Sequence, residues 1–199
     1  MMSLKLMVPA LVTLAALSLS LQADAETTAW VLDASHSRVG FTVPHMVVSS
    51  VSGRFKQASG TIALDEANLT KSDVEISIKT DSIDTDEPKR DEHLRGPDFF
   101  DAAKYPLIVF KSTKIAPAGG NKYKLTGELT MHGVSKLVTL DANISPAIKN
   151  PWGKMVRAVK IAGKVKRSDY GLKWNKTLDA GGVVVGDEVT LDIQVEINR

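Results

Sequence analysis

Chemistry in this chain has few places to come from. Four histidines, His36, His45, His93 and His132, stand far apart, and no two occur at the spacing by which one strand or one helical turn presents two metal ligands. A metal site would need distant strands to converge; capping, turning or hydrogen bonding in the core is the commoner use of a lone histidine. His132-Gly133 reads as a tight turn, because histidine tolerates positive φ better than most residues and glycine adopts it freely. Asp81, Asp84, Asp86 and Glu87 crowd one loop, but their spacing fits no EF-hand, and acidic side chains just before Pro88 suit capping. No Gly-x-Ser-x-Gly elbow, phosphate-cradling glycine loop or His-Glu-x-x-His occurs. The chain has no cysteine, which excludes disulfides, thiolate metal sites and cysteine nucleophiles. No residue set reads as catalytic or as a metal centre, and no cofactor is required.

The elements that would hold any site are strands. Val39, Phe41, Val43 and His45 share one parity, which continues through Val47, Val51, Gly53 and Phe55 and predicts one long strand, with Pro44 at an edge or bulge. Val74, Ile76 and Ile78 alternate with polar residues. Leu107 to Ile115 turns at Gly119-Gly120-Asn121 into Tyr123 to Met131, His132-Gly133 leads into Val134 to Ile144, and Asn150-Pro151-Trp152-Gly153 makes a further turn. Val189, Leu191, Ile193, Val195 and Ile197 alternate most cleanly of all. Hairpins at short spacing predict an all-β, extended antiparallel barrel, whose closure removes the sheet edges. Gly53, Gly127 and Gly163, on the apolar parity, would let strands bend or leave room inside. Only Pro88 to Pro106 departs from this rhythm. Pro88 suits a first helical position, Gly96 a helix end and Pro97 the opening of a second turn, predicting a short helical insert of two helices. Placed between strands, with Phe99 and Phe100 on it, the insert would serve as a lid or floor over an enclosed interior. Arg90 to His93 reads either as a solvated helix face or as a polar collar at a cavity mouth.

Residues 1–25 carry Lys5, an apolar run and Ala23-Asp24-Ala25, the pattern of a cleaved signal peptide, so the mature domain is expected to span 26–199 without a stable membrane span. That length supports one domain. Net charge is +2, with basic residues spread singly, which argues against nucleic acid as a partner.

Several separated motifs resemble one family: Asp33 to His45 (DASHSRVGFTVPH) with Gly53 and Phe55; Arg90 to Leu94 (RDEHL) with Asp98-Phe99-Phe100-Asp101 and Tyr105-Pro106; Phe110 and Ser112; Gly127 to Val134 (GELTMHGV); and Arg167 to Leu172 (RSDYGL). The chain is similar to the YceI-like proteins, a periplasmic polyisoprenoid-binding family with a lipocalin-like barrel. Gly96-Pro97 departs from the family pattern, where a polar residue is more usual. The resemblance implies an apolar tunnel holding an isoprenoid or similar amphiphilic lipid, such as a quinone, for transport, storage or sequestration. It implies no catalytic residues, a periplasmic location and a homodimer. Phe41, His45, Phe55, His93, Leu94, Phe99, Phe100, Tyr105 and Phe110 are then the candidate ligand-binding residues. Two other readings stand beside it: an enzyme acting on a lipid or small molecule through its histidines, and a structural envelope protein whose barrel is filled by its own side chains.

Overall fold

In the computed structural model, which describes residues 27–179 and 181–199, the strands are β1 (Thr28–His45), β2 (Ser49–Phe55), β3 (Ala58–Leu64), β4 (Asp73–Lys79), β5 (Ile83–Asp84), β6 (Leu107–Pro117), β7 (Lys122–Met131), β8 (Val134–Ile144), β9 (Ile148–Lys149), β10 (Met155–Lys166) and β11 (Glu188–Asn198). Each long strand runs antiparallel to its neighbours in the order β3, β4, β6, β7, β8, β10, β11. β1 closes the ring by pairing with β3 at its start and with β11 along its length, giving an eight-stranded antiparallel barrel with one short helix. Apolar residues at alternate positions drive this arrangement, because closure puts one parity of every strand inside.

The hairpins sit where turn chemistry permits them. His132 and Gly133 have φ of 51° and 74°, the two positive values of a two-residue hairpin turn. The His132 Nδ1–H donates to the Tyr170 carbonyl at 3.1 Å, which anchors the turn. One strand expectation needs correction. The chain does not run straight from Arg38 to Phe55; it reverses at Met46-Val47-Val48, and β2 returns on β1 with His45 opposite Ser49. Met46 and Val47 adopt φ of 50° and 66° without a glycine or asparagine to signal the turn.

The inward glycines also behave differently from expectation. A Cβ on Gly53 would strike the Phe41 ring, one on Gly127 the Phe110 ring, and one on Gly163 the Leu140 side chain. They seat large neighbours and leave no extra space of their own.

Helix α1 (Pro88–Arg95) begins as read, with Glu87 accepting from the Lys89 and Arg90 amides and Gly96 ending it. No second helix follows. Residues 97–103 form successive turns, held by the Phe100 amide on the Leu94 carbonyl and the Asp101 amide on the Gly96 carbonyl. Pro97, lacking an N–H, and Asp101, at φ 44°, both oppose a regular continuation.

Gly127→Ala tests the seating of the rings. Its methyl would meet the Lys111 carbonyl oxygen as well as Phe110, so relaxing one side chain cannot relieve it. A loss of about 1–3 kcal/mol is expected in a urea melt.

Candidate functional site

Inward residues of the strands and the insert enclose a cavity of about 240 Å³. Its wall runs from Leu94, Phe99 and Phe100 at the insert end to Leu64, Leu69 and Ile197 at the far end, where β1 begins and β11 finishes. Aliphatic residues such as Ile76, Ile108, Leu129, Ile161 and Leu191 make up most of the wall, and Arg167 is its one charged member.

Arg167 is buried, and its guanidinium donates to the carbonyls of Gly186 (2.9 Å), Leu172 (2.6 Å), Trp174 (2.9 Å) and Val185 (3.2 Å). Burial pushes its pKa below the usual arginine value. The side chain thus pins the segment from 172 to 186 across the insert end and brings Trp174 to Phe99, at 5.1 Å between ring centres. Phe41, Phe55 and Phe100 continue the aromatic wall, each step 5.7 Å.

Polar bonds hold the insert in place. Asp91 is buried and accepts from the Thr85 amide and hydroxyl at 2.9 and 2.5 Å, while Arg90 donates to the Thr85 hydroxyl and carbonyl. Arg95 donates to the carbonyls of Asp81 and Ile83. The charged run before Leu94 is therefore an anchor more than a collar. Asp84 joins it to the wall, pairing with Arg54 at 2.9 Å and Lys56 at 3.0 Å.

Of the candidate residues, Phe41, Phe55, Leu94, Phe99, Phe100 and Phe110 line the cavity. His45, His93 and Tyr105 do not. His45 has the inward parity, but β1 ends at that residue, and its backbone bridges Val185 at the rim. His93 is exposed; its Nε2 lies 2.9 Å from Asp98, and its ring meets Phe99 and Trp174 edge-on from outside, at 5.0 Å each. Tyr105 packs on the His132 ring, 4.6 Å away, beneath Gly133. Asp91 and Arg167 stand in the RDEHL and RSDYGL motifs, and Arg167 follows Val165 on the inward parity, but neither motif discloses what they grip; Trp174 left no signal.

A second depression opens at the far end. It measures about 380 Å³ and is lined by Glu66, Asn68, Thr70, Asn121, Ser145, Pro146 and Arg157; it shares Leu69, Tyr123 and Ile144 with the cavity. On the outer surface, Asp33, His36 and Glu196 bring donor atoms within 4.8 Å of one another. Asp33 and Glu196 are opposite one another on β1 and β11. Hydrogen bonds from Ser35 and His36 hold the Asp33 carboxyl well below the usual carboxylate range, and Asp33 in turn raises His36. This cluster clamps a bulge outside the barrel and has no access to the cavity. The four histidines converge nowhere.

The YceI-like domain family model matches residues 30–197. Protein YceI of Escherichia coli O157:H7 is 37% identical over 164 residues, covering 82% of each chain. Among solved structures, Burkholderia cenocepacia BcnA superposes with a TM-score of 0.73 at 28% identity, covering 83% of this chain and 98% of its own. A polyisoprenoid binding domain from Saccharophagus degradans, implicated in plant cell wall breakdown, shares the fold with a TM-score of 0.62 at 18% identity, covering 84% and 97%.

The anchor of the insert carries a pH signature. Lys56 first, then Arg54, holds the Asp84 carboxyl down at about 2, against an ordinary value of 3.8. A carboxyl depressed by folding stabilises the native state fully above 3.8 and loses that contribution as pH falls through the folded value. Asp84→Asn should therefore lower stability at neutral pH and flatten its fall between pH 4 and 2. Melting curves of the two proteins that stay parallel across that range would show that the ion pair does not hold β5.

Proposed function

Because this chain belongs to the YceI-like family, we propose that it is a periplasmic carrier that sequesters an isoprenoid or similar amphiphilic lipid, of quinone or polyprenyl type, in its barrel. The observation that carries the reading is the apolar cavity running from the insert to the far end. An apolar cavity of about 150 Å³ already stays dry and takes up benzene, so a larger one with an almost wholly aliphatic and aromatic wall suits a hydrocarbon chain. The polyisoprenoid binding named for the Saccharophagus domain supplies the ligand class. Among the described residues no helix is long and apolar enough to cross a membrane, which suits a carrier. Export would rest on the cleaved segment 1–25, which lies outside the described residues.

Binding is favoured over catalysis because the one charged group on the wall, Arg167, spends its donors on four backbone carbonyls. It is favoured over a filled barrel because side chains leave the cavity open. Each buried methylene contributes about 0.8 kcal/mol, so three isoprene units would offer on the order of 10 kcal/mol before ordering costs. Affinity should then follow chain length more than head-group chemistry.

Mass spectrometry of an organic extract of the purified protein should find a long-chain lipid at close to one per chain. A protein that is empty and cannot be loaded would overturn the carrier reading. Phe99 is buried and Phe100 half-buried, so the two residues should separate structure from retention. Phe99→Ala is expected to cost about 3–5 kcal/mol of stability. Phe100→Ala should cost about 1 kcal/mol, moving Tm by a few degrees, while speeding lipid release measurably.

A further inference from the structure

The turn between β9 and β10 displays what the rest of the barrel hides. Trp30 is 0% exposed and Trp174 is half-buried, whereas Trp152 is 84% exposed at the tip, with Ile148 at 63% beside it. The tip is not a loose loop. The Asn150 carboxamide oxygen accepts from the amides of Trp152 (3.1 Å) and Lys154 (2.9 Å), and the Asn150 amide donates to the Lys154 carbonyl at 2.8 Å. Gly153, at φ 88°, allows the tight return. The protein thus holds an indole out in water in a turn fixed by its own backbone bonds.

Charge on the hairpin itself is basic: from Ile148 to Met155 the charged residues are Lys149 and Lys154, and Glu66, in the adjoining depression, is already paired with Arg157 and Arg199. Lys149 and Lys154 flank Trp152, and neither makes an ion pair among the described residues. An exposed indole between unpaired lysines is the composition that settles at the head-group level of an anionic bilayer. Position agrees. Ser145 and Pro146, which lead into β9, and Arg157 on β10 line the polar depression that shares Leu69, Tyr123 and Ile144 with the cavity. The hairpin therefore stands at the rim of the barrel end opposite the insert.

We propose that the Ile148–Met155 hairpin is the surface by which the barrel docks on an anionic lipid bilayer, with Trp152 seated among the head groups and Lys149 and Lys154 on their charges. The proposal rests on the carrier reading, since an amphiphile with a long chain resides in bilayers and a carrier must meet one to load or unload. A second exposed apolar tip, Met46-Val47-Val48, lies at the insert end, is followed by Ser49 and Ser50, and has no lysine or arginine flanking it in sequence. It serves as the control.

The full mature chain is sedimented with vesicles of phosphatidylglycerol and phosphatidylcholine, and with phosphatidylcholine alone. The parent should bind the anionic vesicles, and binding should fall about tenfold or more in Trp152→Ser. It should also weaken in Lys149→Gln/Lys154→Gln and at high salt, and stay unchanged in Val48→Ser. Loading of a prenyl lipid delivered from ethanol should be equal in all variants, while transfer from vesicles slows in Trp152→Ser. A parent that binds no vesicles, binds both kinds equally, or loses binding in Val48→Ser and not in Trp152→Ser overturns the proposal. So does a dimer that dissociates in Trp152→Ser without vesicle binding, which would assign the hairpin to a second copy of the chain. Vesicle binding by a protein that cannot be loaded from ethanol would instead overturn the carrier reading.

Discussion

Pairing of β1 with β11 is the interaction on which the barrel depends. Without it the sheet would present two long edges whose unpaired N–H and C=O groups would seek other partners. With it, every long strand is paired on both sides and the apolar parity of each must face a common interior. The pairing is not regular. Between Asp33 and Arg38 β1 advances five residues while β11 advances two, from Glu196 to Gln194. The surplus residues are gathered outside by Asp33, which accepts from the Ser35 amide and hydroxyl and meets His36 Nδ1 at 3.0 Å; the Ser37 hydroxyl accepts from the Glu196 amide. The bulge lets one strand meet β3 at its start and β2 at its end, on different registers.

Closure leaves two open ends, and the chain treats them with different chemistry. At the far end Trp30 is fully buried against Ile62, Leu64 and Ile197, and the guanidiniums of Arg157 and Arg199 lie 5.5 and 5.4 Å from its ring. Both arginines meet Glu66, Arg157 at 2.5 Å and Arg199 at 3.8 Å. Such a pair adds little net stability once desolvation is counted, but it fixes the turn after β3 against the last strand. At the insert end polar anchors hold an apolar surface: Arg167 grips four carbonyls, Asp91 grips Thr85, and between them Phe99, Phe100 and Trp174 face inward or onto one another. Buried polar groups here orient the wall: Asp91 stands behind the cavity lining, and Arg167, which is part of it, spends its donors on backbone carbonyls.

The sequence made the strands and the barrel legible because alternation is a local signal with a period of two, and Gly119-Gly120 and His132-Gly133 announced their turns. It hid the β1–β2 reversal, since Met46 and Val47 take positive φ without the residues that favour it. Parity also misled at its limit. Val39, Phe41 and Val43 reach the cavity, but His45 shares their parity where the wall has already ended. His93 and Tyr105 belong to the RDEHL and Tyr105-Pro106 motifs of the insert, yet both side chains lie off the cavity. On a turn of helix, neighbours point in different directions, so proximity along the insert carried no information about the interior. Arg167 and Asp91 were hidden for another reason: their roles depend on carbonyls and hydroxyls brought close only by the closed fold.

The cavity itself bears on why the walls are built so firmly. At roughly 24 cal/mol per Å³, an unfilled space of this size costs on the order of 6 kcal/mol, comparable with the net stability of a typical domain. A barrel with weaker closure would collapse its interior and recover that energy. The closed ring of ladders, the seated rings at Gly53 and Gly127 and the polar anchors at both ends resist collapse, because an inward shift of a strand breaks backbone bonds to both neighbours. A ligand that fills the space restores the lost contacts without moving the wall, so the energy withheld from folding becomes available to binding. The same closure that protects the sheet edges therefore sets aside the affinity, and it does so for any chain of fitting length and width.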